Sequence, residues 1–209
     1  MLSQQISPHF LYNTLECLKM QAVLEDHLDR AQALTSLGRL LRYYANYASD
    51  FSPLHTELDG IQDYINIMNL IEGRQCQFEA EIPPQLLEYS IPRFVLQPIV
   101  QNSILHGSRT YISTIHIWLK SYQYEDHLVF QITDDGVGSP PEIIQSIQEK
   151  LRLGIAAENP KNSIGLYNIN ARLKLFYGNQ CELSYHSVEG KGTTVKFSIP
   201  SDADRPLGP

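Results

Sequence analysis

Several short stretches carry residue types whose spacing could do chemistry. Asp134-Asp135-Gly136-Val137-Gly138 directly follows an alternating apolar run, so its glycines could take positive φ and its first carboxylate could accept a hydrogen bond from an exocyclic amine. Alone, the string is weak, and an ordinary strand-to-loop turn is the better reading of it. Ser163-Ile164-Gly165-Leu166 opens a helical run that continues through Asn168 and Arg172. A glycine there offers free N–H groups to phosphate, while Ser163 as a plain N-cap explains the same residues. Gly190-Lys191-Gly192-Thr193-Thr194 reads by itself as a hairpin turn. The run from Arg93 to Gly107 sets Gln97, Gln101, Asn102 and His106 among Leu96, Ile99, Val100 and Ile104. Amides in an apolar helix need partners, and Asn102 or His106 could hold a metal or phosphate as readily as cap a buried carbonyl.

The elements that must position these residues follow from periodicity. From Ser7 to about Tyr47 apolar residues recur three and four apart (Phe10, Leu11, Leu15, Leu18, Ala22, then Leu28, Ala31, Leu34, Leu37, Leu41, Tyr44), interrupted by Glu25, Asp26, His27 and Asp29. This predicts two helices joined by a short turn. A lone hairpin cannot bury both faces, so a homodimer through these N-terminal helices, built as a four-helix bundle, is expected. A third helix is predicted from Glu57 to about Glu72, after a break at Ser52 and Pro53. Beyond Gly73 the pattern alternates in short runs at 77–82, 113–119, 128–133, 182–186 and 194–199, which predicts strands with one buried face. With helices at Arg93 to Gly107 and Ile164 to Tyr177, the fold class is α+β: a helical hairpin followed by a mixed sheet with helices on one face. The expected division is 1–74 for the helical region, 75–200 for the sheet domain, with a boundary near Arg74, and 201–209 as a disordered tail.

Composition sets the class. The chain has 209 residues, is 43% hydrophobic and carries a net charge of −7, which supports a sizeable core and gives no broad attraction to nucleic acid or anionic lipid. Cys17, Cys76 and Cys181 are odd in number and unpaired in spacing, which argues against a disulfide framework or structural zinc and favours a reducing, cytoplasmic setting. No apolar run of membrane-spanning length occurs and no apolar stretch follows Met1 as in a signal peptide. The abrupt, helix-compatible start predicts a fragment of a longer protein.

The order of the motifs (amide-bearing helix, strand, D-x-G-x-G, long loop, glycine-led helix, G-x-G-T, strand) resembles the ATP-binding GHKL domain shared by histidine kinases, gyrase-type topoisomerases, Hsp90 and MutL, over Gln77 to Pro200. The N-terminal segment Gln5-Ile6-Ser7-Pro8-His9-Phe10-Leu11-Tyr12-Asn13-Thr14-Leu15 is similar to the phospho-acceptor helix of LytS/YehU-type sensor histidine kinases. Leu40-Leu41-Arg42-Tyr43, Glu57-Leu58, Tyr64-Ile65 and Arg74 extend that similarity through nearly the whole chain.

The resemblance implies that ATP and Mg2+ are the cofactors, that His9 is phosphorylated, and that Asn102 holds the magnesium bridging the phosphates. It implies that Asp134 accepts the adenine amino group, with Gly136, Gly138 and Thr193 shaping the base pocket. Ser139 to Ser163 would be a mobile lid; Gly165 and Leu166 would begin a helix receiving phosphate, with His106 and Gly107 nearby. Arg172 falls beyond the first turn, where a structural role is as good a reading. The implied partners are a second copy of the chain and a response-regulator receiver domain, with no nucleic acid and no membrane contact by this piece, the parent protein being a membrane sensor.

Phe10 follows His9, so the adjacent carboxylate of many histidine kinases is missing. Asn13 and Glu16 lie on the face of His9 at helical spacing, and one of them is expected to orient the imidazole. Ser7 and Pro8 read as a helix start or as a flexible joint ahead of His9. Gln101 stands where relatives usually have Glu, Ser163 where Gly is common, and Leu105 where many have a basic residue. An amide at 101 cannot act as a base, so a nucleotide-binding but kinase-impaired module is the alternative expectation.

Overall fold

The computed structural model describes residues 8–45, 49–71, 75–107, 114–153 and 164–201. Ser7, Arg74, Ser163 and the tail after 201 lie outside them. Helix α1 (Pro8–Leu24) and helix α2 (Leu28–Ala45) form the expected hairpin. Asp26 adopts φ 59, which lets the His27 N–H return to the Ala22 carbonyl at 2.8 Å and the Asp26 N–H to Val23 at 3.1 Å, closing α1 before α2 begins.

A short strand β1 (Phe51–Pro53) leads straight into α3 (Leu54–Ile71), three residues earlier than the sequence pattern suggested. Helix α3 has two faces at work. Its Asp63 accepts a hydrogen bond from Ser36 of α2 at 2.7 Å and lies 3.7 Å from Arg39, while Leu54, Ile61, Ile65 and Met68 join the core of the sheet domain. Helix α3 therefore shares one hydrophobic core with the sheet.

The main sheet contains β2 (Cys76–Glu81), β4 (Ile115–Tyr124), β5 (His127–Asp134), β6 (Glu182–Val188) and β7 (Gly192–Pro200) in the order β2-β4-β5-β7-β6. Only the β2–β4 pair is parallel, so the sheet is mixed. The small strand β3 (Ser90–Pro92) pairs with β1 apart from it. Alternation along β4, β5 and β7 turns Ile115, Ile117, Leu119, Phe130, Ile132 and Phe197 to one buried face. Helices α4 (Gln97–Gly107) and α6 (Ile164–Tyr177) contribute Ile99, Ile104, Ile169 and Leu173 to that layer. A further helix, α5 (Pro141–Leu153), packs beside β6.

The helix expected from Arg93 begins only at Gln97. Phe94 has φ 58, a left-handed conformation that a helix cannot continue through and that strains a side-chain-bearing residue. What holds it is Glu57, which is 1% exposed and accepts the Phe94 N–H at 2.9 Å, with Tyr43 and Ser52 bonded to the same carboxylate oxygen. Around it Tyr44 stacks on Phe94 at 4.9 Å, Tyr43 meets it edge-on at 5.0 Å, and the Arg93 guanidinium lies 4.2 Å over the Tyr43 ring. Burial pushes the Glu57 carboxyl above its ordinary range against the pull of these hydrogen bonds, and burial together with the Glu57 charge raises the Tyr43 hydroxyl to about 12.

A carboxyl raised on folding stabilises most below its ordinary value of 4.5 and loses that contribution as pH climbs through the folded value. Glu57→Gln, fixed in the neutral form, is therefore expected to gain in melting temperature relative to the parent as pH rises above the ordinary carboxyl value of 4.5. A pH-independent difference in thermal denaturation would show that the buried carboxyl does not titrate this way.

Candidate functional site

The register of the sheet builds one end of the site. Strand β5 finishes at Asp134, which faces Thr193 near the start of β7, so two motifs about sixty residues apart become neighbours. Asp134 Oδ2 accepts the Ser103 hydroxyl of α4 at 2.7 Å, and Oδ1 accepts the N–H groups of Gly136 at 3.0 Å and Thr193 at 3.2 Å. Burial raises the Asp134 carboxyl, and those three donors act in the opposite direction. The result is a buried, oriented carboxylate pinned from three elements.

Its neighbour Asp135 faces outward. Burial alone would raise it, but the backbone N–H and imidazole of His116, both at 2.8 Å, hold it below the usual carboxylate range. The two adjacent aspartates thus differ in environment, and only Asp134 lines the cavity.

Backbone crowding requires glycine at Gly192 and Gly136, as it does at Gly138. Gly192 has φ 107 and a Cβ on it would lie 1.9 Å from the Asp134 carbonyl oxygen; a Cβ on Gly136 would lie 2.6 Å from the backbone of Gly107. The second contact, with the Val137 N–H bonded to the Gly107 carbonyl at 2.8 Å, locks the D-x-G-x-G loop against the end of α4.

A cavity of about 560 Å³ opens above Asp134. Of the residues predicted from sequence, Asn102, His106, Gly107, Asp134, Gly138, Leu166 and Thr193 line it. Gly136 supports the wall from behind, and Gly165, at the start of α6, abuts the Asn102 side chain, where an added Cβ would stand 3.1 Å from its Nδ2. Ser163 lies outside the described residues.

Other predicted residues are placed elsewhere. Gln101 does not line the cavity; its side chain turns to the Tyr44 hydroxyl at the end of α2, together with Gln97. Arg172 bonds Asp50 at 3.4 Å and covers the Phe176 ring at 5.7 Å, a structural role. Leu105 is exposed. On α1, His9 is exposed and its Nδ1 stands 3.4 Å from Asn13 Nδ2, whereas Glu16 is ion-paired with Lys19. Of the two residues expected to orient His9, Asn13 is the one beside it.

The stretch expected as a mobile lid, 139–163, contains helix α5 over its first half. Ile143, Ser146, Ile147 and Lys150 recur at helical spacing and form a wall of the cavity. Apolar residues at 143, 144, 147 and 151 of the sequence carried that signal. Ser103 and Tyr185 also line the cavity unanticipated: Ser103 is one turn before Gly107 on the amide-bearing helix, and Tyr185, bonded to Ser139 at 2.8 Å, sits on a strand whose alternation was visible.

Two family models match this chain: "Histidine kinase" over residues 1–75 and "Histidine kinase-, DNA gyrase B-, and HSP90-like ATPase" over residues 90–203. The chain belongs to the histidine kinase-, DNA gyrase B- and HSP90-like ATPase family, and the pairing of the two models is that of the catalytic portion of a sensor histidine kinase. It is 28% identical over 199 residues to the sensor histidine kinase YesM of Bacillus subtilis, covering 95% of this chain and 32% of that protein. It is 31% identical over 202 residues to the sensor protein LytS of Oceanobacillus iheyensis, covering 95% of this chain and 34% of that protein. The chain thus spans about a third of the length of these curated relatives. Among solved structures, the histidine kinase domain of a blue-light activated histidine kinase from Erythrobacter litoralis aligns with a TM-score of 0.48 at 15% identity, over 92% of this chain and 93% of that one.

Gly192→Ala adds a Cβ at a positive φ against a backbone carbonyl that cannot yield. It is expected to cost about 2–4 kcal/mol of stability and to lower nucleotide affinity at the same time. Thermal melts and nucleotide titration would check this, and a variant as stable as the parent would show that the β5–β7 junction relaxes.

Proposed function

We propose that this chain binds ATP in the cavity above Asp134 and transfers the γ-phosphoryl group to His9. The observation that carries the reading is the convergence of Asp134, Thr193, Asn102 and the start of α6 on one cavity, in a chain that also presents an exposed histidine on a separate helix. Asp134, held by Ser103, Gly136 and Thr193, has its remaining acceptor capacity for an adenine amino group. The start of α6 beside Asn102 offers N–H groups to phosphate oxygens.

Asn102 suits a magnesium ion. Its side-chain carbonyl is a hard oxygen ligand on the cavity wall, and Mg2+ characteristically takes one or two protein oxygens with phosphate and water completing the shell. Bound there, the ion would neutralise phosphate charge. In the transfer, a bond forms from an imidazole nitrogen to the γ-phosphorus, the bond from that phosphorus to the β,γ-bridging oxygen breaks with its electrons leaving on ADP, and the imidazole sheds its N–H proton. A neutral imidazole is nucleophilic near pH 7 without a strong base. If the Asn13 amide presents its oxygen, it accepts Nδ1–H and leaves the Nε2 lone pair facing outward; the two amide orientations have nearly the same shape.

Gln101 supports a second reading, in which nucleotide binds but transfer is impaired. Its amide supplies neither a base nor a charge, and it faces Tyr44 rather than the cavity. Downstream, phosphate on His9 would pass to an aspartate of a response regulator, consistent with the exposure of His9. The exposed Phe10, Leu11, Leu18 and Leu24 on α1 support a homodimer through the hairpin. No described helix is long and apolar enough to cross a membrane. We place this piece in the cytoplasm, joined in its parent to sensory parts.

Incubation with magnesium and γ-labelled ATP tests the reading. Acid-labile, base-stable label is expected on the parent and absent from His9→Ala; label on Gln101→Glu but not on the parent would establish the impaired module. Sedimentation over micromolar concentrations is expected to give a dimer, and a monomer throughout would count against the hairpin as the interface of this piece.

A further inference from the structure

We propose that Lys150, on α5, is the cation that makes the cavity selective for a nucleoside triphosphate over its nucleoside. The inference rests on the nucleotide reading above and deepens it. Among the described residues lining the cavity, the ionisable acid and bases are Asp134, His106 and Lys150, of which Lys150 is the ammonium. Asp134 is committed to the β5–β7 end by its three donors. Lys150 lies at the other boundary, its ammonium 5.9 Å over the ring of Tyr167, a residue of the first turn of α6. That places the cation beside the helix start that abuts Asn102.

The charge balance makes the assignment specific. A triphosphate brings several negative charges into a cavity that already holds the Asp134 carboxyl, and α4 offers it one basic side chain, His106, in its last turn. Lys150 makes no ion pair with a described residue, so its ammonium is available to phosphate oxygens. Its flexible stem reaches from a helix that supplies Ser146 and Ile147 to the same wall. A role limited to the α5 C-terminus, where a lysine meets the helix dipole, or to packing on Tyr167 would make no distinction between phosphorylated and unphosphorylated ligands.

Calorimetric titration of the full chain with Mg-ATP and, separately, with adenosine tests this, using the parent, Lys150→Ala and Lys150→Arg. Loss of one charge-assisted contact is expected to weaken Mg-ATP about tenfold in Lys150→Ala, leave adenosine within about twofold, and be largely restored in Lys150→Arg. Equal losses for both ligands would overturn the proposal in favour of wall packing, as would unchanged Mg-ATP affinity. If the parent binds neither ligand, the nucleotide reading itself fails and this inference with it. Binding by the parent with no preference for Mg-ATP overturns the inference alone.

Discussion

The arrangement of this molecule depends on one buried carboxylate. Glu57 belongs to α3, yet its Oε1 is spent on its neighbours: Tyr43 from the α1–α2 hairpin, Ser52 from β1, and the backbone N–H of Phe94 ahead of α4, while Oε2 is buried with no hydrogen-bond partner among the described residues. Burying a carboxyl costs several kcal/mol unless hydrogen bonds replace water, and these donors are what make its position tolerable. In return they fix the path of residues 93–96, including a left-handed phenylalanine that local preference would never select. Helix α4 starts where that path ends. Its register then decides that Ile99, Asn102, Ser103 and His106 face the cavity while Val100 and Ile104 contribute to the core.

At the far end of α4 a similar economy operates with backbone in place of charge. Gly136 approaches the backbone of Gly107 so closely that it tolerates no side chain, and the Val137 N–H closes the contact. Asp134 is oriented as a consequence, because the same loop turn delivers the Gly136 N–H to Oδ1 while Ser103 of α4 reaches Oδ2. The carboxylate is therefore positioned by the helix and strand it joins, and the raised proton affinity that burial imposes is restrained by the donors they bring. Asp135 shows the contrast: one residue on, solvent and His116 keep its charge easily.

Much of this was legible in the sequence, for reasons that differ by element. Strands β4, β5 and β7 alternate because one face is buried, and a period of two survives in any one-sided sheet. The hairpin was legible because its apolar seam and polar turn coincide with helical spacing. The order of the motifs pointed to the cavity although Asp134 and Thr193 gave no local hint of meeting. What escaped is tertiary. The late start of α4 follows from Glu57, thirty-seven residues away, and nothing local to Arg93-Phe94-Val95-Leu96 encodes it. Strands β1 and β3 are three residues each and exist only by pairing with one another. Helix α5 was hidden inside an expectation of a lid, although its apolar spacing was present. Nothing in the sequence around Lys150 marks it as facing the cavity.

The same joint gives Gln101 a physical context. Helix α2 ends on α4 through Tyr43 and Tyr44, and the Tyr44 hydroxyl faces both Gln97 and Gln101 while sensing the charge of Glu57. An amide at 101 can donate to or accept from that hydroxyl and adds no second negative charge beside the buried carboxylate. A carboxylate there would compete with Glu57 for a neighbourhood whose cation, Arg93, lies over Tyr43 and bonds its carbonyl. An amide at 101 also suits a contact with a tyrosine between the hairpin and α4. The end of α2 and the middle of α4 thus meet at side chains that also surround the buried Glu57.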